Sequence, residues 1–189
     1  MASLLFRSIG LAALLACALP AAAATSAQAP VPREPSLLQP TRIVADADPT
    51  RPDLAARALA ARRYASFWNS GDPALARAAL APGFIDRTLP PGRTQGLQGP
   101  LQASQTMRKA IPDLHCEIEQ LVLAGDRAIV HLRFRGHFSG RFGDTQGRGQ
   151  AIDFIATDIY RIGRDRIDEN WHIEDNLSLL KQMGVIAGE

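Results

Sequence analysis

The chain has 189 residues, a formal net charge of +2 and 21% charged residues. The charges are interspersed rather than patched, which argues against an extended nucleic-acid or anionic-membrane surface. With 46% hydrophobic residues, a core of normal size is available once non-globular segments are set aside.

The N-terminus reads as one such segment. Arg7 gives a short positive region, Ile9 to Leu19 is an apolar run too short to span a bilayer, and Ala21 to Ala24 offers a small-residue cleavage site. That pattern predicts a secretory signal peptide over residues 1–24 rather than a membrane helix. Leu14, Leu15, Ala16 and Cys17 also resemble a lipobox, which gives a lipoprotein alternative, although the residues after Cys17 stay small and apolar. Residues 25–52 carry six prolines between Pro30 and Pro52 without apolar periodicity and read as a mobile exported linker. Residues 53–189 remain as one domain. Cys17 falls in the leader, so Cys116 is the one cysteine of the mature chain and has no intrachain partner; its alternation with Leu114 and Ile118 marks a buried apolar position.

Within the domain the first elements are helical. Leu54, Ala58, Ala61, Tyr64, Ala65 and Trp68 recur at three- and four-residue steps, predicting a helix over 53–69 that ends at Gly71. A short helix follows from Pro73 to Leu80, then an extended piece, Phe84 to Arg87. After a Pro- and Gly-rich loop, a third helix is predicted over 100–110. From His115 the period changes to two. Strands are predicted over 114–123, 128–138, 151–161 and 166–175, with turns at Gly125-Asp126 and 163–165 and a glycine-rich loop at 140–149. Asn176 to Met183 forms a closing helix before Gly184. Helices first and a curved antiparallel sheet afterwards indicate an α+β fold, in which the cavity between sheet and first helix is the natural ligand site.

The segments F-W-N-S-G-D (67–72), A-P-G-F-I-D (81–86), A-I-P-D-L-H-C-E-I-E-Q-L-V-L-A-G-D (110–126), D-I-Y-R-I (158–162) and W-H-I-E-D-N-L-S-L-L-K-Q-M-G (171–184) resemble SnoaL-like polyketide cyclases and the related ester cyclases. These belong to the NTF2-like superfamily, an α+β cone with a deep pocket. The resemblance spans almost all of 53–185. It implies three N-terminal helices on a curved sheet, a short C-terminal helix, and an intramolecular aldol closure needing no metal and no organic cofactor. In the family an aspartate at the end of the last strand is assigned as acid/base, and Asp175 matches that position. Many relatives read F-x-D-H where this chain has Phe84-Ile85-Asp86-Arg87. Arg87 can bind an enolate or carboxylate but cannot exchange a proton near neutral pH.

The residues themselves leave alternatives at several sites. Asp175 follows Trp171 and Ile173 by steps of two, so a pocket-facing Trp171 brings Asp175 with it; Asp is equally a preferred N-cap for the last helix. Asp158 shares an apolar strand face with Phe154, Ala156 and Tyr160 and reads as a second pocket carboxylate or as a buried ion-pair member. Tyr64 and Trp68, on the helix forming the pocket wall, are at once core and ligand contacts. His131, Arg133, Arg135 and His137 alternate on one strand face and read as an outer stripe, where the resemblance implies pairing into a homodimer. His172 and Glu174, opposite Trp171, are expected outside. The four histidines have no metal-ligand spacing.

The expected function is an exported, cofactor-free protein performing acid/base cyclisation, isomerisation or hydrolysis on a small apolar carbonyl compound. Asp175 and Asp158 are its candidate catalytic residues, and Tyr64, Trp68, Arg87, Phe154 and Trp171 its candidate binding residues. A non-catalytic small-molecule-binding protein and an association module are the alternatives on the same cone.

Overall fold

The computed structural model describes residues 36–187. The leader reading of residues 1–24, with the lipobox alternative at Cys17, lies outside them. No helix among the described residues is long and apolar enough to cross a membrane.

The elements run β1 (Arg42–Ala45), α1 (Pro52–Ser70), α2 (Pro73–Ala79), β2 (Leu80–Asp86), α3 (Gln98–Ala110), β3 (His115–Ala124), β4 (Arg127–Phe138), β5 (Arg141–Phe142), β6 (Thr145–Gln146), β7 (Gln150–Ile162), β8 (Ile167–Glu174) and α4 (Asn176–Met183). A six-stranded sheet has the order β1-β3-β4-β7-β8-β2, and β5 and β6 form a small separate hairpin. The β3-β4, β7-β8 and β4-β7 pairs are antiparallel. This is the α+β architecture with a curved sheet, helices α1–α3 ahead of the main strands and α4 closing the chain.

Two edges depart from the sequence reading. Residues 42–45, read as part of a mobile linker, pair parallel to β3 with Val44 opposite Val122. Leu37 and Leu38 pack against the core, and the Leu38 N–H donates to Ser66 Oγ at 2.9 Å, so this stretch is tied to α1. At the other edge β2 runs parallel to β8, bringing Asp86 opposite Asn170. Both pairings join residues more than 70 positions apart, which local periodicity cannot register.

The core lies between the concave sheet face and α1. Ala60, Ala61, Tyr64, Ala65 and Phe67 of α1 are buried there against Ile118, Leu121, Val130, Leu132 and Tyr160. Small residues on α1 let its backbone approach the sheet, and each large apolar side chain so buried contributes about 1.5–3 kcal/mol. Gly71 ends α1 in the left-handed region at φ 75°, its N–H donating to the Phe67 carbonyl. Gly140 is required by close approach: a Cβ there would overlap the Lys109 carbonyl, against which the β4–β5 loop is stitched by the Gly140 N–H to Ala110 O bond of 2.9 Å. These contacts tie the end of α3 to the β4–β5 loop.

Candidate active site

Between α1, α3, α4 and the concave sheet face lies a cavity of about 300 Å³. Tyr64 and Trp68 face it from α1, and Leu132, Phe134, Phe154 and Ala156 give it an apolar wall. Phe134 and Phe154 stack with centroids 5.0 Å apart, and Trp68 meets Phe134 edge-on at 6.5 Å. Of the expected binding residues, Tyr64, Trp68 and Phe154 are therefore on the cavity wall. So is Asp158.

Asp175, Trp171 and Arg87 are not. Asp175 caps α4: its carboxylate accepts the Ser178 N–H at 3.0 Å and the Ser178 hydroxyl at 2.6 Å. These bonds hold its carboxyl below the usual carboxylate range, the opposite of what a base poised near neutrality requires. Trp171 lies on the convex face, with the Arg127 guanidinium 5.1 Å from its ring centroid. Arg87 is exposed and pairs with Glu169 at 2.9 Å.

The face assignment of β8 is thus the reverse of the expected one. Asn170, His172 and Glu174 line the cavity, while Trp171 and Ile173 point away. The cause is visible in the register. Arg161 opposes Glu169 but Ile162 opposes Ile167, so Asp168 is an extra residue on β8. This bulge shifts the phase of the alternation, and an aromatic ring is no guide to which face is inward when the site wall itself is polar.

The polar wall forms two adjacent rows across β2, β8 and β7. In one, Asp86 opposes Asn170, which opposes Tyr160. In the next, His172 is directly opposite Asp158. The rings and carboxylates interlock. Tyr160 donates its hydroxyl to Asp158 Oδ2 at 2.6 Å. His172 Nδ1 is 2.7 Å from Glu174 Oε1, and Nε2 is 3.0 Å from Asp86 Oδ2. Asp86 is itself fixed: Gln95 accepts its backbone N–H at 2.7 Å and donates to its carbonyl at 2.9 Å, while Asp86 Oδ1 accepts the Thr88 N–H at 3.0 Å. Asn170 is buried, and its side-chain carbonyl has no hydrogen-bond partner among the described residues.

Charge follows from this geometry. Burial opposes a proton on His172, but the hydrogen bonds and charges of Glu174 and Asp86 outweigh it and push its pKa up to about 9. His172 is an imidazolium at neutral pH with both N–H groups committed to carboxylates. Burial raises Asp158, while the Tyr160 hydroxyl and the facing imidazolium pull it back, leaving it at about 6. A carboxyl at that value exchanges a proton readily near neutrality. The basic stripe of β4 serves elsewhere. His131 bonds Thr157, Arg133 bonds Asp153, Arg135 bonds Glu117 and His137 bonds Asp113, so the stripe on β4 is internally paired on the convex face.

The profile of SnoaL-like polyketide cyclases matches residues 58–183, two thirds of the chain. The chain belongs to the SnoaL-like polyketide cyclase family. A candidate polyketide cyclase from Bacillus cereus ATCC 10987 is 36% identical, with 80% of this chain and 96% of that one covered and a TM-score of 0.72. IdmH, a candidate polyketide cyclase from Streptomyces antibioticus, is 26% identical over 66% of this chain and 96% of its own, with a TM-score of 0.60. A protein of ketosteroid isomerase-like fold from Catenulispora acidiphila DSM 44928 shares the architecture at 19% identity over 66% of this chain and 92% of that one, with a TM-score of 0.51. No curated protein matches the chain significantly. SnoaL-like membership goes with small-molecule binding as a family trait and with the NTF2-like, ketosteroid isomerase-like fold.

Asp158 lies on the apolar strand face that its alternation predicts, whereas Asp86, Asn170, His172 and Glu174 join the cavity without being expected there from the sequence. The signal that could have found them is the polar alternation Asn170, His172, Glu174 ahead of a helix, once the extra residue at the 163–168 turn is allowed for.

Proposed function

We propose that this protein catalyses cofactor-free acid/base chemistry on a small, largely apolar carbonyl compound, with Asp158 as the acid/base in place of Asp175. The observation that carries it is a buried carboxyl on the wall of an apolar cavity, hydrogen-bonded by Tyr160 and facing the His172 imidazolium. Asp158 takes a proton from the carbon beside a carbonyl, leaving an enolate. In a cyclisation the enolate carbon attacks a second carbonyl of the same molecule, and the proton on Asp158 passes to the alkoxide so formed. In an isomerisation the same proton returns to a different carbon. His172 does not exchange the proton; its fixed positive charge keeps enough Asp158 ionised and offsets the negative charge that develops on the substrate. Tyr64, Trp68 and Phe154 hold the apolar body of the substrate.

The test is α-proton exchange of 2-tetralone in D₂O followed by NMR. Asp158→Asn should cut the protein-catalysed rate by at least about a hundredfold, the usual scale for a general acid or base. Unchanged exchange in a folded Asp158→Asn protein would remove the catalytic reading and favour a binding protein.

We further infer that the protein is exported, on the pattern of Arg7, the 9–19 apolar run and Ala21 to Ala24, and that it pairs through the convex sheet face. Supporting the second is an apolar row across five strands: Val44, Val122, Ile129, Ile159 and Trp171 stand opposite one another in register. Val44 and Ile159 are each more than 40% exposed, and a continuous apolar row of this kind favours a partner over water.

A further inference from the structure

Two basic residues line the cavity, Arg93 and His172. His172 is fully occupied by Asp86 and Glu174. Arg93 is different. Arg87, Arg133, Arg135 and Arg161 all form ion pairs on the outer surface, whereas the Arg93 guanidinium makes no hydrogen bond or ion pair among the described residues. Glu174 feels its charge, as does Tyr64, but Glu174 gives its short contact to His172 instead.

The position of Arg93 is nevertheless built. It sits on the β2–α3 loop, where its N–H donates to the Pro90 carbonyl at 3.1 Å. Two residues on, Gln95 bonds both polar groups of the Asp86 backbone and also accepts the Gly96 N–H at 2.9 Å, pinning the loop to the cavity wall. The stem of Arg93 lies on the first turn of α3 at Gly99, where a Cβ would come within 3.2 Å of its Cγ and 3.4 Å of its Cδ. A Cβ there would first overlap the Thr94 carbonyl, so the glycine lets the loop backbone close on α3 and leaves the Arg93 stem beside it. The result is a half-buried guanidinium held at the edge of an apolar cavity with its donor fork unclaimed, so little ordering is needed when an anion arrives.

Resting on the reading of the cavity as the substrate site, we propose that Arg93 is the specificity-determining residue and that the substrate is an apolar carbonyl compound carrying a carboxylate. One planar guanidinium matches one carboxylate, in charge and in bidentate geometry. A phosphate fits less well, since its second charge would meet Asp86 and Glu174, which already share the cavity wall. The cation expected at Arg87 from the sequence is thus supplied from six residues further along the chain.

The experiment uses two probes of similar shape, 2-naphthoate and 2-acetylnaphthalene, titrated calorimetrically at low ionic strength into wild type, Arg93→Gln and Arg93→Lys. Wild type should bind the carboxylate at least about tenfold more tightly than the ketone, the scale of a hydrogen bond to a charged group. Arg93→Gln should lose that preference while binding the ketone as before, and Arg93→Lys should keep part of it. Equal binding of the two probes by wild type, or a preference that survives Arg93→Gln, overturns the assignment and leaves the cavity reading intact. Binding of neither probe overturns both.

Discussion

Replacing His172 with Gln removes the imidazolium while keeping a side chain that can bond Asp86 and Glu174. His172 and Asp158 are directly opposed across β7 and β8, which puts their Cβ atoms about 5 Å apart. At an effective dielectric of about 20, two unit charges at roughly 5–6 Å interact by about 3 kcal/mol, or about two pKa units. The loss also leaves Asp86 and Glu174 unneutralised, and both raise Asp158 already. Asp158, at about 6 in the wild type, should therefore titrate at roughly 8 in the variant. The assay is carboxyl ¹³C NMR titration, paired with the pH profile of 2-tetralone exchange. The acid limb of that profile should move up by the same amount, so that activity lost at pH 6 returns at higher pH. An Asp158 titration unchanged or moved down would refute the electrostatic role given to His172. The stability consequence has its own sign. Because the folded pKa of His172 is raised to about 9, its contribution is full below its ordinary value near 6.5 and fades as pH climbs through about 9. Wild-type melting temperature should fall over that range, and His172→Gln should lack the fall.

Asp158→Asn should melt like wild type below about pH 4 and above it beyond pH 6, because a carboxyl held near 6 makes ionisation costly in the folded state, by up to about 3 kcal/mol; a lower melting temperature at pH 8 would contradict the burial argument. Tyr160→Phe removes the 2.6 Å bond to Asp158, and NMR titration should find the Asp158 pKa raised further. Asp175→Asn should leave tetralone exchange unchanged, while Asp175→Ala should lower the melting temperature by roughly 2–4 °C through loss of the α4 cap; a hundredfold loss of exchange with Asn would restore Asp175 as the acid/base. Ile159→Glu places a charge in the middle of the convex apolar row, and light scattering should report a monomer, against the dimer that the proposed pairing requires of wild type.

Local pattern was enough for most of the elements. Three- and four-residue steps marked α1, and period two marked β3, β4 and β7, because one face of each is buried and the sequence must repeat with the geometry of the element. Gly71 and Gly184 stood where helices end, and Asp158 declared itself by sitting among Phe154, Ala156 and Tyr160 on an inward face. What the tertiary structure decided was the company that Asp158 keeps. Asp86 reaches the site because β2 crosses to the far edge of the sheet and pairs with β8, 84 positions on at Asn170. His172 and Glu174 face inward because one extra residue at Asp168 shifts the phase of β8, and a single-residue slip reverses every side chain of a strand. Arg87 and Arg93 both follow β2 on the way to α3, yet only Arg93, on the stretch of loop pinned by Gln95, lines the cavity. Periodicity records which face of an element is buried; which elements share that burial, and so which charges meet, is set by pairings between distant parts of the chain.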